Sequence, residues 1–500
     1  MGNDNGNLII RNLTITPLEL IHVDRFEATP PSSPPPGKHN GGISKIAARF
    51  THNFKGTPSV TAAAHHAALT SGAPTSSHDI TDLLVQPFSE RTTDISAPGA
   101  EYRQSHLRLT FFEPGEESSH RYTADIPGPS PRSIVMTASP SPSNNSSTTN
   151  TTSSESDSDP PKEFTLIYIP TLHHLSIFSS ASLPTWMSRL SPYYPLSSLS
   201  IPGTHNSPTC YVALPSVRCQ AVSVTDQLLN GVRFLDIRVS CPGGAVPYFH
   251  DLLNTEVYPF LDAHPSETIL VSLKREGTGK GTDQQLSQHL HAGYFTRDLD
   301  KDGRPRWYTN PTIPTLGDVR GRVVLVRRFN IDDSLKGEHD GRGLGIDGSV
   351  WPDNCADGTC GSGTIRVQDY YELAQSSEIG KKTKLVQEEL ERAAQQVYVL
   401  PGMPGGPQPQ SGPLPLFVNF LSGSNFFNAS CWPENIAKKI NPAIIEYLCR
   451  DHGAPGKGPG QLTIGDAATG IVVTDWVGNN GDWDLIRCIV GWNARLQLKS

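Results

Sequence analysis

The sequence predicts an α/β chain in which a TIM-type (β/α)8-like barrel follows a β-rich, sandwich-like domain. From residue 196 onward, seven short apolar runs alternate with longer helical or loop segments. Near-continuous apolar strands joined by helices are typical of a parallel sheet that is buried on both faces. Before residue 185, alternating runs are separated by Pro/Gly/Ser clusters, the pattern of short antiparallel strands. We therefore expect domains over residues 1–185 and 196–497.

The seven apolar runs of the second domain each end in polar or ionisable residues. The predicted strands are residues 199–202, 232–239, 268–273, 322–327, 364–368, 415–421 and 470–475. Possible helices lie between them at residues 251–263, 283–291, 377–397 and 435–448. Active-site residues of such barrels cluster at the C-terminal ends of the strands. We therefore expect the polar groups that follow these strands to share one site.

The first domain contains several runs that suit short strands. These are residues 8–15, 18–26, 107–112, 133–136, 163–169 and 175–178. Between them, residues 139–161 are almost wholly Ser, Thr, Pro and Asn. Such a tract cannot bury enough apolar surface to order itself, so we expect a disordered insertion. The domain boundary is predicted near residues 184–195, and the pattern indicates no role for the first domain.

The composition describes a soluble globular chain. Of its 500 residues, 36% are hydrophobic and 18% are charged, and the net charge is −8. The negative charge argues against nucleic acid as a partner. The chain has neither an apolar run of about 18 residues nor a basic, then apolar, start. We expect a cytoplasmic protein that could associate peripherally with a membrane; the oligomeric state is not indicated.

The cysteines and the weaker motifs favour neither a metal nor a cofactor. Eight cysteines are widely spread, without a CxxC pair or a His/Cys cluster at zinc spacing. Cys355 and Cys360 lie close enough in sequence to close a small loop. Residues 453–460 lack the GK[ST] of a phosphate loop, and residues 298–304 lack the glutamate of a calcium loop.

Groups suited to phosphate chemistry gather in residues 196–240. His205 follows the first predicted strand in the sequence GTHNS. Asp236 and Arg238 lie two apart on the second predicted strand and therefore share a face. An imidazole can move a proton, and a guanidinium can hold an anion in a fork.

The sequence around these residues resembles that of a known enzyme family. IPGTHNS followed by QLLNGVRFLDIR resembles the X-type catalytic region of phosphatidylinositol-specific phospholipase C, in the bacterial and fungal single-barrel form of the PLC-like phosphodiesterase superfamily. Five further motifs continue the resemblance to residue 491: HPSETILVSLKRE, GDVRGRVVLVRRF, IRVQDYY, LFVNFLSGS and GIVVTDWVG. The resemblance implies that phosphatidylinositol is cleaved to diacylglycerol and a cyclic inositol phosphate by two histidines, without a metal.

The resemblance also implies roles for single residues. His205 matches the general base, and Asp475 matches the carboxylate that orients it. Arg238 matches the residue that holds the phosphate oxygens, and Asp236 matches the carboxylate that supports the second histidine. The residues that match the inositol-binding rim are Lys274, Arg327 or its neighbour Arg328, Asp369 and Tyr371.

The chain departs from the family pattern at two places. Asn206 stands where the family often has aspartate, and an amide carries no charge. The third strand, with the His-Gly motif that supplies the general acid, is not evident. Counting forward from Asp236 places His250 near the missing histidine; counting backward from Pro265 places it at the start of the next helix. We favour the backward count, and loss of a general acid costs about 10²–10⁴-fold in rate.

Two alternatives remain open. One is a catalytically impaired barrel that binds a lipid or an inositol phosphate. The other is a metal-dependent phosphodiesterase of glycerophosphodiesters or sphingolipids, which Asn206 and Arg238 speak against. Phe426, Phe427 and Trp432 follow the strand at residues 415–421, where aromatic side chains could contact lipid or belong to the core.

Overall fold

The computed structural model describes most of the chain in eleven segments. They are residues 6–27, 72–101, 105–115, 120–128, 133–140, 162–211, 213–240, 247–277, 281–361, 363–400 and 414–499. The insertion predicted at residues 139–161 lies outside them except for Ser139 and Pro140, which end a strand.

The N-terminal part of the chain forms two β-sheets. Its strands are β1 (Asn7–Leu13), β2 (Leu18–Glu27), β3 (Ser76–Asp79), β4 (Leu84–Val85), β5 (Ser89–Ser96), β6 (Ser105–Phe112), β7 (His120–Ile126), β8 (Ile134–Val135), β9 (Thr137–Pro140), β10 (Phe164–Ile169) and β11 (His174–Ser179). One sheet has the order β5-β1-β11-β10-β8, and the other has the order β3-β2-β6-β7-β9 with β4 beside β2. All the pairs are antiparallel except β1 with β11.

Buried side chains from both sheets form one core. Ile10 and Ile177 of the first sheet belong to the same apolar cluster as Leu109 and Tyr122 of the second. The six predicted strands all lie in these sheets. The polar strand β3, of sequence SSHD, has mostly exposed side chains, so no alternation of apolar residues could indicate it.

The second part of the chain is built on a mostly parallel sheet. Its strands are β12 (Ile201–Thr204), β13 (Phe234–Val239), β14 (Ile269–Arg275), β15 (Trp307–Tyr308), β16 (Val323–Arg328), β17 (Ile346–Asp347), β18 (Gly358–Cys360), β19 (Ile365–Gln368), β20 (Leu416–Phe420) and β21 (Ile471–Thr474). The order is β15-β16-β14-β13-β12-β21-β20-β19-β18, with β17 beside β16. All seven predicted strands are present, and their neighbours in the sheet run parallel to them except for the short β18.

The sheet is a curled half barrel, and the described strands do not close into a regular (β/α)8 barrel. In the described segments no hydrogen-bonded pair joins β16 or β17 to β18 or β19. β13 pairs directly with β14, from Phe234 opposite Leu270 to Val239 opposite Arg275. Because no strand lies between them, the chain supplies seven long strands instead of eight, and the sheet stays open.

Helices cover the sheet. They are α1 (Val224–Leu229), α2 (Pro247–Leu252), α3 (Tyr258–Ala263), α4 (Asp283–Leu290), α5 (Leu316–Val319), α6 (Glu338–Gly341), α7 (Ile379–Ala394), α8 (Pro433–Arg450), α9 (Asp484–Gly491) and α10 (Ala494–Gln497). A π-helical turn, Leu253–Val257, joins α2 to α3. None of the described helices combines the length and apolar character that a membrane span requires.

The two parts of the chain share buried contacts. Arg11 of β1 donates to the carbonyl oxygens of Cys449 and His452, at 2.9 and 2.7 Å. Phe178 of β11 belongs to the same apolar cluster as Leu448 of α8 and Ile489 of α9. The N-terminal sheet that contains β1 and β11 therefore packs on the helices that cover one side of the parallel sheet.

The described cysteines are free thiols, including Cys355 and Cys360. The small disulfide loop that their spacing allowed is not formed.

Candidate active site

The polar residues at the carboxyl ends of the strands line one pocket. Its volume is about 540 Å³. The residues predicted for the site that line it are His205, Arg238, Lys274, Asp369 and Tyr371. Because these strands are parallel, their carboxyl ends meet at one edge of the sheet, which is why residues distant in sequence converge there.

His205 is held between a carboxylate and a guanidinium. β12 and β21 are neighbours with Thr204 opposite Thr474, so the next residue on each strand, His205 and Asp475, lies beside the other. His205 Nδ1 is 3.0 Å from Asp475 Oδ1. Arg238 Nη2 lies 2.8 Å from His205 Nε2. Since arginine can only donate, neutral His205 accepts at Nε2 and carries its proton on Nδ1.

The charges around His205 favour its protonated form. Burial lowers the pKa of His205, but the carboxylate of Asp475 and the Sγ of Cys219 outweigh it and raise the pKa above its usual value. Asp475 is buried, and burial raises its pKa although the imidazole opposes this. The pair therefore holds one proton tightly, and His205 becomes a free base only as the pH rises.

Asp236 anchors two arginines. It is fully buried and lies 3.4 Å from Arg238 Nε and 3.4 Å from Arg328 Nη1. Burial raises the pKa of Asp236, but the charges of Arg238 and Arg328 outweigh burial and bring the pKa below its usual value. The carboxyl therefore stays ionised. The predicted partner of Asp236 was a second histidine; in the structure the two guanidinium groups take that place.

Arg238 is fixed on three sides. Besides Asp236 and His205, its Nη1 donates to Glu276 Oε2 at 2.9 Å. Burial lowers the pKa of Arg238, whereas Asp236 and Glu276 raise it, with a net increase. A guanidinium held in this way faces the pocket as a permanent cation, which suits an anionic ligand.

Strand register decides which arginine reaches the pocket. Arg238, Lys274 and Arg328 lie opposite one another on three adjacent strands. Arg327 precedes Arg328 and therefore points to the other face of the sheet. It donates to the Leu344 carbonyl oxygen at 2.7 Å and pairs with Asp347 at 2.8 Å. Arg327 is thus not in the pocket, and Arg328 takes the place predicted for it.

An aromatic wall faces these cations. The Arg328 guanidinium lies 3.8 Å from the centre of the Trp351 ring. Trp351 Nε1 donates to Asp369 Oδ2 at 3.0 Å, and Tyr371 OH donates to Asp353 at 3.0 Å. Burial raises the pKa of Asp369 despite Arg328 and Lys382. Trp351 follows a two-residue strand that no apolar run marks, so the sequence did not indicate it as a site residue.

His250 lies away from the pocket. It belongs to α2, its side chain is 62% exposed, and its ring nitrogen is 3.7 Å from Asp251. The backward count was therefore correct. Among the described residues that line the pocket, His205 is the single histidine.

Three described residues could offer ligands to a metal ion. The nearest donor atoms of His205, Cys219 and Asp475 lie within 4.8 Å of one another. The same imidazole has a guanidinium 2.8 Å from its other nitrogen, and a fixed cation there disfavours a divalent ion. Metal-free chemistry remains a prediction.

Two phenylalanines lie exposed beyond the end of β20. Phe426 is 56% and Phe427 is 94% exposed, with ring centres 5.3 Å apart. Trp432 is half-buried and donates to the Phe426 carbonyl oxygen. Two large apolar side chains that remain in water favour the lipid-contact interpretation over the core interpretation.

Comparison with known proteins identifies relatives of this chain. No family model matches the chain. A 1-phosphatidylinositol phosphodiesterase of Staphylococcus aureus (strain Newman) is 27% identical over 329 residues, which cover 61% of this chain and 92% of that protein. A 1-phosphatidylinositol phosphodiesterase of Listeria monocytogenes is 31% identical over 168 residues, or 30% of this chain and 50% of that protein. The chain is similar to bacterial 1-phosphatidylinositol phosphodiesterases.

The comparison with solved structures also finds matches. A phosphatidylinositol-specific phospholipase C from Staphylococcus aureus with incorporated pentafluoro-Phe has a TM-score of 0.46 at 23% identity, covering 62% of this chain and 97% of its own. The enzyme from Listeria monocytogenes has a TM-score of 0.41 at 20% identity, covering 62% of this chain and 99% of its own.

Proposed function

We propose that this protein is a phosphoric diester hydrolase of the phospholipase C type that cleaves phosphatidylinositol to diacylglycerol and a cyclic inositol phosphate. The observation that supports it most is the line Asp475–His205–Arg238, with contacts of 3.0 and 2.8 Å, in which His205 and Arg238 line the pocket. A base that is oriented by a carboxylate and lies next to a fixed cation suits attack of a hydroxyl on a phosphate.

The first chemical step uses this line. The bound phosphate takes over the hydrogen bond that Arg238 Nη2 makes to His205 Nε2. His205 Nε2 then takes the proton of the inositol 2-hydroxyl, and the imidazolium that forms is stabilised by Asp475. The 2-oxygen forms a bond to phosphorus while the bond from phosphorus to the glycerol oxygen breaks. Arg238 holds the phosphate oxygens as their charge increases. Asp236 and Glu276 fix that guanidinium in place.

The other pocket residues suit the inositol ring. Arg328, Asp369 and Tyr371 offer donors and acceptors for the ring hydroxyls. Trp351 adds an aromatic face on the same wall. Phe426 and Phe427 would enter the lipid surface, so that the protein acts as a peripheral membrane protein on a phosphatidylinositol bilayer.

The test is release of cyclic inositol phosphate from phosphatidylinositol vesicles. We expect release by the wild-type protein, and a loss of about 10²–10⁴-fold in His205→Ala, because the general base is removed. His250→Ala is the matched control, since that histidine lies outside the pocket, and it should retain wild-type activity. Wild-type release no greater than that of His205→Ala would refute the proposal.

A catalytically impaired, ligand-binding protein is the second candidate. The absence of a second histidine from the described pocket residues favours it. It predicts saturable binding of inositol 1-phosphate without turnover of the lipid. A chelator experiment tests the metal-dependent alternative: we expect activity to survive EDTA, and a loss that zinc or calcium restores would favour that alternative.

A further inference from the structure

The proposed reaction needs two proton transfers, and His205 supplies one of them. In a phosphoryl displacement, the attacking and leaving oxygens lie roughly in line across phosphorus. His205 takes the proton from the attacking hydroxyl. The glycerol oxygen leaves as an unstable alkoxide unless a second group, on the opposite side of phosphorus, protonates it.

The order of the strands places Lys274 on that opposite side. His205 follows β12, Arg238 is on β13 and Lys274 is on β14, and the three strands are consecutive in the sheet. Adjacent strands lie about 4.8 Å apart, so Arg238 separates the two residues laterally. A phosphate held by Arg238 therefore has the base on one side and the lysine on the other. This placement arises because β13 pairs directly with β14 and puts Lys274 opposite Arg238.

Lys274 also differs from the two arginines of the pocket in its hydrogen bonds and ion pairs. Arg238 is bound to Asp236, Glu276 and His205. Arg328 pairs with Asp236 and stacks on Trp351. In contrast, the Lys274 ammonium makes no hydrogen bond or ion pair to any residue in the described segments.

The surroundings of Lys274 make its proton easier to release. Partial burial lowers the pKa of Lys274, and the charges of Arg238 and Arg328 lower it further; the carboxylates of Glu276 and Asp236 oppose this, but the net change is a decrease. A lysine that faces two fixed cations is therefore a better acid than a lysine in water.

We infer that Lys274 is the general acid of the proposed reaction. This inference rests on the proposed function. As the bond from phosphorus to the glycerol oxygen breaks, the proton on Lys274 Nζ passes to that oxygen and diacylglycerol leaves neutral. The proton of the inositol 2-hydroxyl has meanwhile passed to His205 Nε2. Exchange with water then returns Lys274 to the ammonium and His205 to the free base.

The experiment compares two substrates that share the inositol phosphate and differ in the leaving group. One is phosphatidylinositol in mixed micelles, and the other is the 4-nitrophenyl ester of inositol 1-phosphate. Nitrophenolate leaves without protonation, so a missing general acid slows only the lipid reaction. We expect Lys274→Met to lower kcat on the lipid by about 10²–10⁴-fold. The loss of kcat on the nitrophenyl ester should be smaller by at least tenfold.

A conservative variant separates the proton from the charge. Lys274→Arg keeps a cation, but arginine does not give up its proton in proteins. We expect it to lose as much kcat on the lipid as Lys274→Met, and the alkaline decline of the wild-type pH profile to disappear. Thermal unfolding of each variant checks that both are folded.

Several outcomes would overturn the inference. Equal losses on the two substrates would make Lys274 a binding residue only. Rescue by Lys274→Arg would make it an electrostatic group. A leaving-group effect in Asp369→Asn instead would assign the acid to Asp369. Cleavage of the nitrophenyl ester but not of the lipid by the wild-type protein would show that the site has no acid, whereas cleavage of neither substrate would refute the proposed function itself.

Discussion

At the scale of single residues, the contact between His205 and Asp475 determines the pH dependence. The pKa of His205 is raised, so the free base is populated only as the pH rises through that pKa. We expect the acidic limb of kcat/KM to lie above pH 6.5, the usual pKa of histidine. In Asp475→Asn the raising charge is gone while burial still lowers the pKa. The limb should move to lower pH as the maximal rate falls. An unmoved limb in the pH–rate profile would contradict the assignment.

The two neighbouring arginines of β16 allow a test substitution to be compared with a control substitution. Arg328 reaches the pocket, whereas Arg327 lies on the other face of the sheet. We expect Arg328→Met to lower kcat/KM by about 10–100-fold, because a hydrogen bond to a charged group contributes about 1.5–3 kcal/mol. Arg327→Met should leave kcat/KM near the wild-type value. The reverse result in steady-state assays would mean that the register of β16 is wrong.

The same pair shows what the sequence could predict of the site. His205, Arg238 and Lys274 were indicated because motifs place them at strand ends. The choice between Arg327 and Arg328 needs the strand register, since a shift by one residue reverses the face. Trp351 could not be found, because it lies in a segment whose position depends on contacts with distant strands.

At the scale of elements, a buried ion pair fixes the amino end of β13. Arg233 and Glu267 are both fully buried and lie 2.9 Å apart. Arg233 also donates to the carbonyl oxygens of Leu183 and Pro184, before the sheet begins. We expect Arg233→Met to lower the free energy of unfolding by about 3–5 kcal/mol, because it leaves an uncompensated charge on Glu267.

Urea unfolding measures this effect. The double variant Arg233→Met/Glu267→Met should recover much of the lost stability, since it removes the stranded charge. A double variant that is less stable than Arg233→Met would show that the pair matters for its other hydrogen bonds and not for the charge of Glu267.

The segment after β20 gives the prediction for membrane binding. Phe426 and Phe427 are exposed, and burying each side chain in lipid contributes about 1.5–3 kcal/mol. We expect Phe426→Ser/Phe427→Ser to weaken vesicle binding by at least tenfold in a sedimentation assay. Cleavage of the water-soluble nitrophenyl ester should be unaffected. Unchanged vesicle binding would dispose of the membrane contact.

The open sheet was the element-scale feature that the sequence did not predict. Seven apolar runs correctly indicated seven parallel strands. Whether the ends of a curled sheet meet depends on the number of strands and on their stagger. Neither property can be read from a single apolar run of the sequence. The direct pairing of β13 with β14 is a property of two segments together.

At the scale of the whole molecule, the two predicted domains are packed tightly together. The sequence indicated two regions by their different patterns. It could not indicate the contact between them, because an apolar residue that faces a second domain has the same periodicity as one that faces its own core. Leu13 and Phe178, on strands of the first domain, belong to a cluster with residues of α8 and α9.

Gly491, the last residue of α9, tests this packing. A Cβ added there would lie 2.5 Å from Phe178 Cδ1, which is closer than carbon atoms can approach. In an open helix position, Gly→Ala stabilises by roughly 0.5–1 kcal/mol. Gly380 of α7 is such a position, since no atom lies within 4 Å of an added Cβ. We expect Gly380→Ala to raise the free energy of unfolding, and Gly491→Ala to lower it by about 1–3 kcal/mol.

A second substitution identifies the cause of that loss. In Gly491→Ala/Phe178→Leu the shorter side chain leaves room for the added methyl group, so part of the stability should return. Because contacting residues couple while distant ones add, Gly380→Ala/Phe178→Leu should show no such recovery. If both double variants behave additively in urea unfolding, Phe178 does not pack on α9 and the two domains do not share this core.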